Sequence, residues 1–343
     1  MAELVGIDVG PVTGWFTEHV PQVTPPLDFL LIAGGRSNLT FKVTDAADRA
    51  WVLRRPPTGH VLATAHDMAR EHRVISALAP TPVPVPATFG LCTDDAVTGA
   101  PFYVMSYLEG HILRDATIAA ALYTPEQRHR AGLGLADVLA DLHAVDIDAV
   151  GLGDLGPTEG YVARQLKRWY GQFRASTSET GRAVPLVDAV HERLAAAIPD
   201  QQGTVVVHGD YRLDNAVLDD EGEVVGVLDW EICTLGDPLA DVGLLMVYWA
   251  EPGDQAPALG VAPTTAGGFP SRDEMKARYA ARTGRDVDVL DFYVAFGYWK
   301  LACILEGVYT RYAGGSGGGD PASFAAYATQ VGLLAQAADA AFA

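Results

Sequence analysis

The densest chemistry in the chain lies in one run, Val207-His208-Gly209-Asp210-Tyr211-Arg212-Leu213-Asp214-Asn215, and in a second a short way on, Val227-Leu228-Asp229-Trp230-Glu231. Moving a phosphoryl group onto an alcohol asks for a carboxylate to accept the hydroxyl proton. It also asks for hard oxygen ligands that hold Mg²⁺ against nucleotide phosphates. The two runs supply these groups: Asp210 as general base, Asn215 as a metal ligand five residues on, and Asp229 as the main metal carboxylate. His208 reads as the residue that orients the loop. Taken singly, an aspartate after a strand caps a turn and an asparagine closes one. The combination at these spacings carries the phosphoryl-transfer reading.

Both runs need strand ends to present them. Short β segments are expected at 205–207, 216–218 and 224–228, with Asp219-Asp220-Glu221-Gly222 turning between the last two and a hairpin bringing Asp229 alongside. Upstream, residues 29–33, 39–43 and 51–53 read as a β meander closed by Pro56-Pro57. The apolar spacing of Met68, Val74, Ile75 and Leu78 predicts an amphipathic helix over 63–78 that packs on the sheet. The prolines at 80, 82, 84 and 86 make an extended connector to strands at 87–91 and 102–108. Long helical patterns follow, at 127–143, 161–173 and 187–197, and from Leu239 onward. The expected boundary separates an N-terminal lobe, residues 1–107, from a C-terminal lobe, residues 108–343. The glycine tract at 314–319 lacks a following Lys-Ser or Lys-Thr and reads as a loop.

Composition narrows the partners. The chain has 343 residues, 49% of them hydrophobic, enough for two adjacent cores. A formal net charge of −19 repels phosphate backbones and anionic membrane surfaces, so neither nucleic acid nor membrane is an expected partner. Cys92, Cys233 and Cys303 form no CxxC or Cys/His pattern, which fits a reducing compartment. No signal-peptide pattern opens the chain, and the most apolar later stretch, 294–305, is short and interrupted by Lys300. A cytoplasmic location is therefore expected.

The spacing from Asp210 to Asn215 is that of the Asp-x-x-x-x-Asn of kinase catalytic loops. His-Gly-Asp-x-x-x-x-Asn followed by Leu228-Asp229-Trp230-Glu231 resembles the aminoglycoside phosphotransferase (APH) and choline kinase superfamily. It is most like the phosphotransferase domain fused to some acyl-CoA dehydrogenases and its free-standing bacterial relatives. Leu53-Arg54-Arg55-Pro56-Pro57, Pro101-Phe102-Tyr103-Val104-Met105 and Thr234-Leu235-Gly236-Asp237-Pro238-Leu239-Ala240-Asp241 carry the likeness further. The resemblance implies an α+β, two-lobed, protein-kinase-like fold with a small antiparallel-sheet N-lobe and a larger, mainly helical C-lobe. It also implies ATP and Mg²⁺ as cofactors.

Other residues take their roles from that likeness. Between two strands, Gly35, Ser37 and Asn38 would fold over the phosphates, although a Gly-Gly hairpin is as often purely structural. Arg54 stands where kinases carry a phosphate-binding lysine, with Glu71 as its helical partner and Arg55 or Lys42 as substitutes. Met105, Ser106 and Tyr107 would form the hinge, backbone groups of the last two meeting adenine while Met105 and Leu228 line its faces. Asp237 and Asp241 read as structural, the first as an N-cap ahead of Pro238.

The acceptor is expected to be a small molecule with a hydroxyl group. Its pocket is expected from C-lobe helices, including residues 291–311, where Phe292, Tyr293, Phe296, Tyr298, Trp299, Tyr309 and the following Tyr312 outnumber the acids Asp291 and Glu306. Aromatics at helical spacing are also ordinary core. Few acids argue for a less cationic, partly apolar acceptor, and the resemblance adds a hydroxyacyl compound as a candidate. Aminoglycoside or macrolide phosphorylation and a non-catalytic nucleotide-binding role are the alternatives. A protein kinase is disfavoured, because no Ala-Pro-Glu segment follows Asp229.

Overall fold

The structure is a computed structural model; it describes residues 4–33, 38–58, 67–254, 262–313 and 321–342, leaving aside the side chains of 321–325. The chain forms two compact units, Met1–His111 with Val225–Cys233, and Ile112–Val224 with Thr234–Ala343. The segment Val225–Cys233 thus belongs to the first unit, although it lies far beyond the boundary expected at residue 107.

In the first unit, β1 (Asp28–Ala33), β2 (Leu39–Thr44), β3 (Ala50–Arg55), β4 (Thr88–Cys92) and β5 (Phe102–Ser106) form an antiparallel sheet in the order β1-β2-β3-β5-β4. Strand β2 shows why: Leu39, Phe41 and Val43 are buried while Thr40, Lys42 and Thr44 alternate on the wetter face. One face is covered by α1 (Val9–His19), whose Trp15 ring meets Phe102 edge-on at 4.9 Å between centroids. That helix is absent from the sequence expectations because Gly10, Pro11 and Gly14 depress its propensity; burial of Val12, Trp15 and Phe16 against the sheet outweighs them. On the other face lies α2 (Met68–Leu78), begun by Asp67, whose carboxylate accepts the Arg70 amide at 2.9 Å. The expected helix start at 63 lies outside the described residues. Covered from both sides, β3 is buried from Trp51 to Arg55, so Arg54 at its end must find its partners within the protein. The short α3 (Asp95–Thr98) links β4 to β5.

The second unit is mainly helical: α4 (Ala116–Leu122), α5 (Pro125–His143), α6 (Tyr161–Thr180), α7 (Pro185–Ala196), α8 (Pro238–Tyr248), α9 (Arg272–Thr283), α10 (Leu290–Ala313) and α11 (Pro321–Ala341). This unit also holds β6 (Val205–Val207), β7 (Ala216–Leu218) and β9 (Thr234–Gly236), with β6 pairing antiparallel with β9, while β8 (Val224–Val227) starts at the edge of this unit and runs on in the first. The turn between β7 and β8 closes through Asp219, whose side chain accepts the amides of Glu221 and Glu223. Helix α8 is buried from Pro238 to Val247, and Asp237 caps it by accepting the Leu239 amide at 3.1 Å. Helix α10 packs against α6, α8 and α11. Among the described residues no helix is long and apolar enough to cross a membrane.

Candidate active site

Strand β6 delivers the chain into the His208–Asn215 loop through Gly209, whose φ of +85° is a conformation glycine adopts at no steric cost. The loop hangs on Asp241 in the first turn of α8. Its carboxylate accepts the His208 amide at 2.6 Å and the Gly209 amide at 2.8 Å, and His143 lies 3.5 Å away. Burial works to raise the Asp241 pKa, but His143, His208 and the Gly209 amide outweigh it, and the carboxyl titrates below its ordinary range. Asp241 is therefore structural in a specific sense: it fixes the two residues ahead of Asp210. His208 is fully buried, and its Nδ1 accepts the Asp210 amide at 3.3 Å, a positioning contact.

Asp210 itself is part-exposed. Asn215, closing a short 3₁₀ turn from Leu213, donates its carboxamide to the Asp210 carbonyl at 2.8 Å and to its carboxylate at 3.1 Å. Arg212 places Nε 3.5 Å from the same carboxylate and Nη1 3.4 Å from Asp214, with its guanidinium 4.7 Å from the Tyr248 ring. Beside this loop a cavity of about 250 Å³ is lined by Arg114, Arg212, Asp214, Leu245, Tyr248, Trp249 and their neighbours. Tyr248 is held un-ionised by burial and by the adjacent Asp210 charge.

The aromatic residues of α10 do not line this cavity. Phe292, Tyr293, Phe296 and Trp299 are core, with the Tyr293 hydroxyl donating to Asp237 at 2.7 Å and the Trp299 indole to the Val187 carbonyl at 3.1 Å. The helix that contributes to the wall of this cavity is α8, through Leu245 and Tyr248.

In the first unit, Arg54 gathers three carboxylates. Its Nε lies 3.2 Å from Glu71, and its Nη2 lies 2.6 Å from Asp229 and 3.3 Å from Glu231. Asn38, itself buried, donates to Glu231 at 3.1 Å. Burial opposes the Arg54 charge, yet Glu71, Tyr103 and Asp229 raise its pKa. Burial pushes Glu71 up to about 7 in spite of Arg54, with Asp229 and Glu231 adding to the rise. Asp229 adopts a φ of +67°, unusual for a non-glycine residue and typical of functional turns. Sequence reasoning assigned Arg54 only Glu71. The two other basic residues expected near the phosphates are engaged as well: Arg55 with the Gly6 and Thr98 carbonyls, Lys42 over the Tyr107 ring at 4.1 Å.

Met105 is buried in β5, and the Ser106 amide donates to the Ala87 carbonyl at 2.8 Å. The Ser106 amide is thus used within the protein, which leaves its carbonyl as the backbone group for the expected adenine contact. Tyr107 and Leu228 are half-buried. Gly35 and Ser37 lie outside the described residues.

No group of three or more His, Cys, Asp or Glu among the described residues forms a ready metal cage. The donors expected for Mg²⁺, the Asp229 carboxylate and the Asn215 carboxamide, are part-exposed hard oxygens of the kind it takes. Three carboxylates on one guanidinium also leave an excess of negative charge that a divalent cation would relieve.

The family model described as "Phosphotransferase enzyme family" (APH) matches residues 28–278. Mouse acyl-CoA dehydrogenase family member 10 is 37% identical over 292 residues, covering 84% of this chain and 27% of the mouse protein. Rat acyl-CoA dehydrogenase family member 11 is 33% identical over 319 residues, 90% of this chain and 40% of the rat protein. The chain thus spans well under half the length of these relatives. Among solved structures, a candidate aminoglycoside phosphotransferase from Ralstonia eutropha JMP134 superposes with a TM-score of 0.82 at 32% identity, covering 98% of each chain. A macrolide 2′-phosphotransferase from Brachybacterium faecium gives a TM-score of 0.61 at 21% identity, covering 94% of this chain and 97% of that one. The likeness extends to the fold: an antiparallel-sheet N-terminal region and a helical C-terminal part, of the protein-kinase-like α+β class expected from the sequence.

Proposed function

This chain belongs to the phosphotransferase enzyme family (APH), and from that premise we propose that it transfers the γ-phosphoryl group of ATP to a hydroxyl group of a small molecule, with Asp210 as general base. The observation that carries the proposal is the treatment of Asp210. The two residues before it are anchored by Asp241, and its carboxylate is steered by the Asn215 carboxamide while remaining open to solvent. A general base needs that combination of fixed direction and access.

Asp210 would accept the acceptor's proton at a carboxylate oxygen. Asn215 and Asp229 would hold Mg²⁺, which when bound supplies charge neutralisation on the nucleotide phosphates. Arg54, oriented by Glu71, presents a planar fork of donors suited to phosphate oxygens. Gly35, Ser37 and Asn38 are assigned to the phosphates, and Met105, Ser106, Tyr107 and Leu228 to the adenine. The cavity beside Asp210 supports a partly apolar acceptor with an anionic end, such as a hydroxyacyl compound. Two arginines face one aspartate there, against an apolar wall of Leu245 and Trp249, an environment that opposes a polycation. The three cysteines are buried and free, which supports the cytoplasmic placement.

The test is ADP release with Mg-ATP and a panel of hydroxyacyl thioesters, aminoglycosides and macrolides. Hydroxyacyl thioesters should respond, and Asp210→Asn should lower kcat roughly 10²–10⁴-fold while nucleotide binding persists. A response to aminoglycosides alone would overturn the acceptor class. Native activity in Asp210→Asn would remove the base assignment, and silence across the panel would favour nucleotide binding without transfer.

A further inference from the structure

Lys300 interrupts the most apolar stretch of the chain, and the structure shows where its charge goes. It lies midway along α10, 7% exposed, near buried Trp299, Ala302 and Cys303. Its Nζ donates to the Gly209 carbonyl at 3.2 Å and sits 5.9 Å from the Trp169 ring centroid. Asp241 and Asp210 face it with opposite charge and Arg168 with like charge. An ammonium buried this deeply is costly, and methionine, of similar length, would fill the space without that cost. Packing therefore does not account for a lysine here.

What the lysine does is visible at the peptide joining Gly209 to Asp210. The carbonyl of that peptide accepts from Lys300, and its N–H donates to His208 Nδ1 at 3.3 Å. The preceding peptide's N–H donates to Asp241. Gly209, at a φ of +85°, is the one link here free to rotate without a side-chain penalty, and its peptides are held by α8 on one side and α10 on the other. We propose that Lys300 is a positioning residue for phosphoryl transfer: it locks the plane of the Gly209–Asp210 peptide and so fixes the direction in which the Asp210 carboxylate leaves the backbone. The inference rests on the reading of Asp210 as the base, and goes beyond it by assigning that geometry to a side chain 91 residues away. A peptide plane that swings at Gly209 displaces the carboxylate by a distance that general-base catalysis does not tolerate.

The test uses the full chain carrying Lys300→Met, with Lys300→Gln beside it. Hydrogen exchange of the peptide spanning residues 205–216, thermal unfolding, and kcat and KM for ATP are measured. Lys300→Met should keep or raise the native Tm, exchange faster at Gly209 and Asp210 by tenfold or more, and lose roughly 10–100-fold in kcat with KM for ATP unchanged, an effect of geometry lost at the reacting group. Lys300→Gln, which keeps a donor without the charge, should fall between the two, and it carries the test if the methionine variant does not fold. Native exchange in either folded variant would overturn the clamp, and raised exchange with native kcat would overturn its part in transfer. Should the parent protein phosphorylate nothing on the panel, the base assignment fails, while the exchange measurement still decides whether Lys300 holds the loop.

Discussion

Arg54 stands where three carboxylates compete for one guanidinium, and the least accessible of them, Glu71, gives way first. A lysine would meet such a cluster as a point charge, whereas the guanidinium offers Nε to Glu71 and Nη2 to Asp229 and Glu231 at once. Burial raises the Glu71 pKa from 4.5 to about 7. A carboxyl whose folded pKa lies above its unfolded value contributes full stability below the unfolded pKa and loses it as pH rises through the folded one. The native protein should thus lose stability from this group as pH rises from about 4.5 to about 7. Glu71→Gln should flatten that slope in urea unfolding measured across the range; parallel profiles for the two proteins would show that Glu71 stays ionised. The Arg54–Glu71 pair was legible because a strand end and an amphipathic helix predict it. The approach of Asp229 and Glu231 was not, since it joins residues 175 and 177 positions apart and depends on the left-handed turn at Asp229.

The crossing of α8 and α10 decides how the His208–Asn215 loop is gripped, since one helix carries Asp241 and the other Lys300. The crossing is tight because Gly243 has no side chain: a Cβ there would lie 2.6 Å from the Tyr293 backbone. Backbone cannot yield as a side-chain tip does, so Gly243→Ala should cost about 1–3 kcal/mol through overpacking and lower kcat along with Tm. An unchanged Tm, read by thermal unfolding, would show slack in the crossing. Periodicity placed most elements at this scale, including β1 to β5 and α5 to α7, because alternation and 3.6-residue spacing are local properties. It missed α1, where tertiary burial overrides glycine and proline. It also left the aromatic stripe of α10 open between pocket and core, because a stripe records which side is apolar and not what covers it.

For the molecule as a whole, the net charge of −19 is the dominant long-range property. It predicts no retention by double-stranded DNA or by phosphatidylserine vesicles even at low ionic strength, where electrostatic attraction is strongest. Salt-sensitive binding to either, measured by co-sedimentation, would reveal a basic surface that the sum of charges conceals. The sequence by itself determined the groups and their local spacing: Asp210 and Asn215 share one turn, Asp237 caps the helix it precedes, and the strand patterns announce the sheet. Such features need only neighbouring residues, so residue type and interval specify them. Only the tertiary structure decided that Asp241 and Lys300 hold the Gly209 backbone, that Glu231 meets Arg54, and that α8 rather than α10 walls the cavity beside Arg212 and Asp214. Those contacts close over 32, 91 and 177 residues, and they exist because burial forces each charged group to find an opposite charge or a backbone partner wherever packing leaves one.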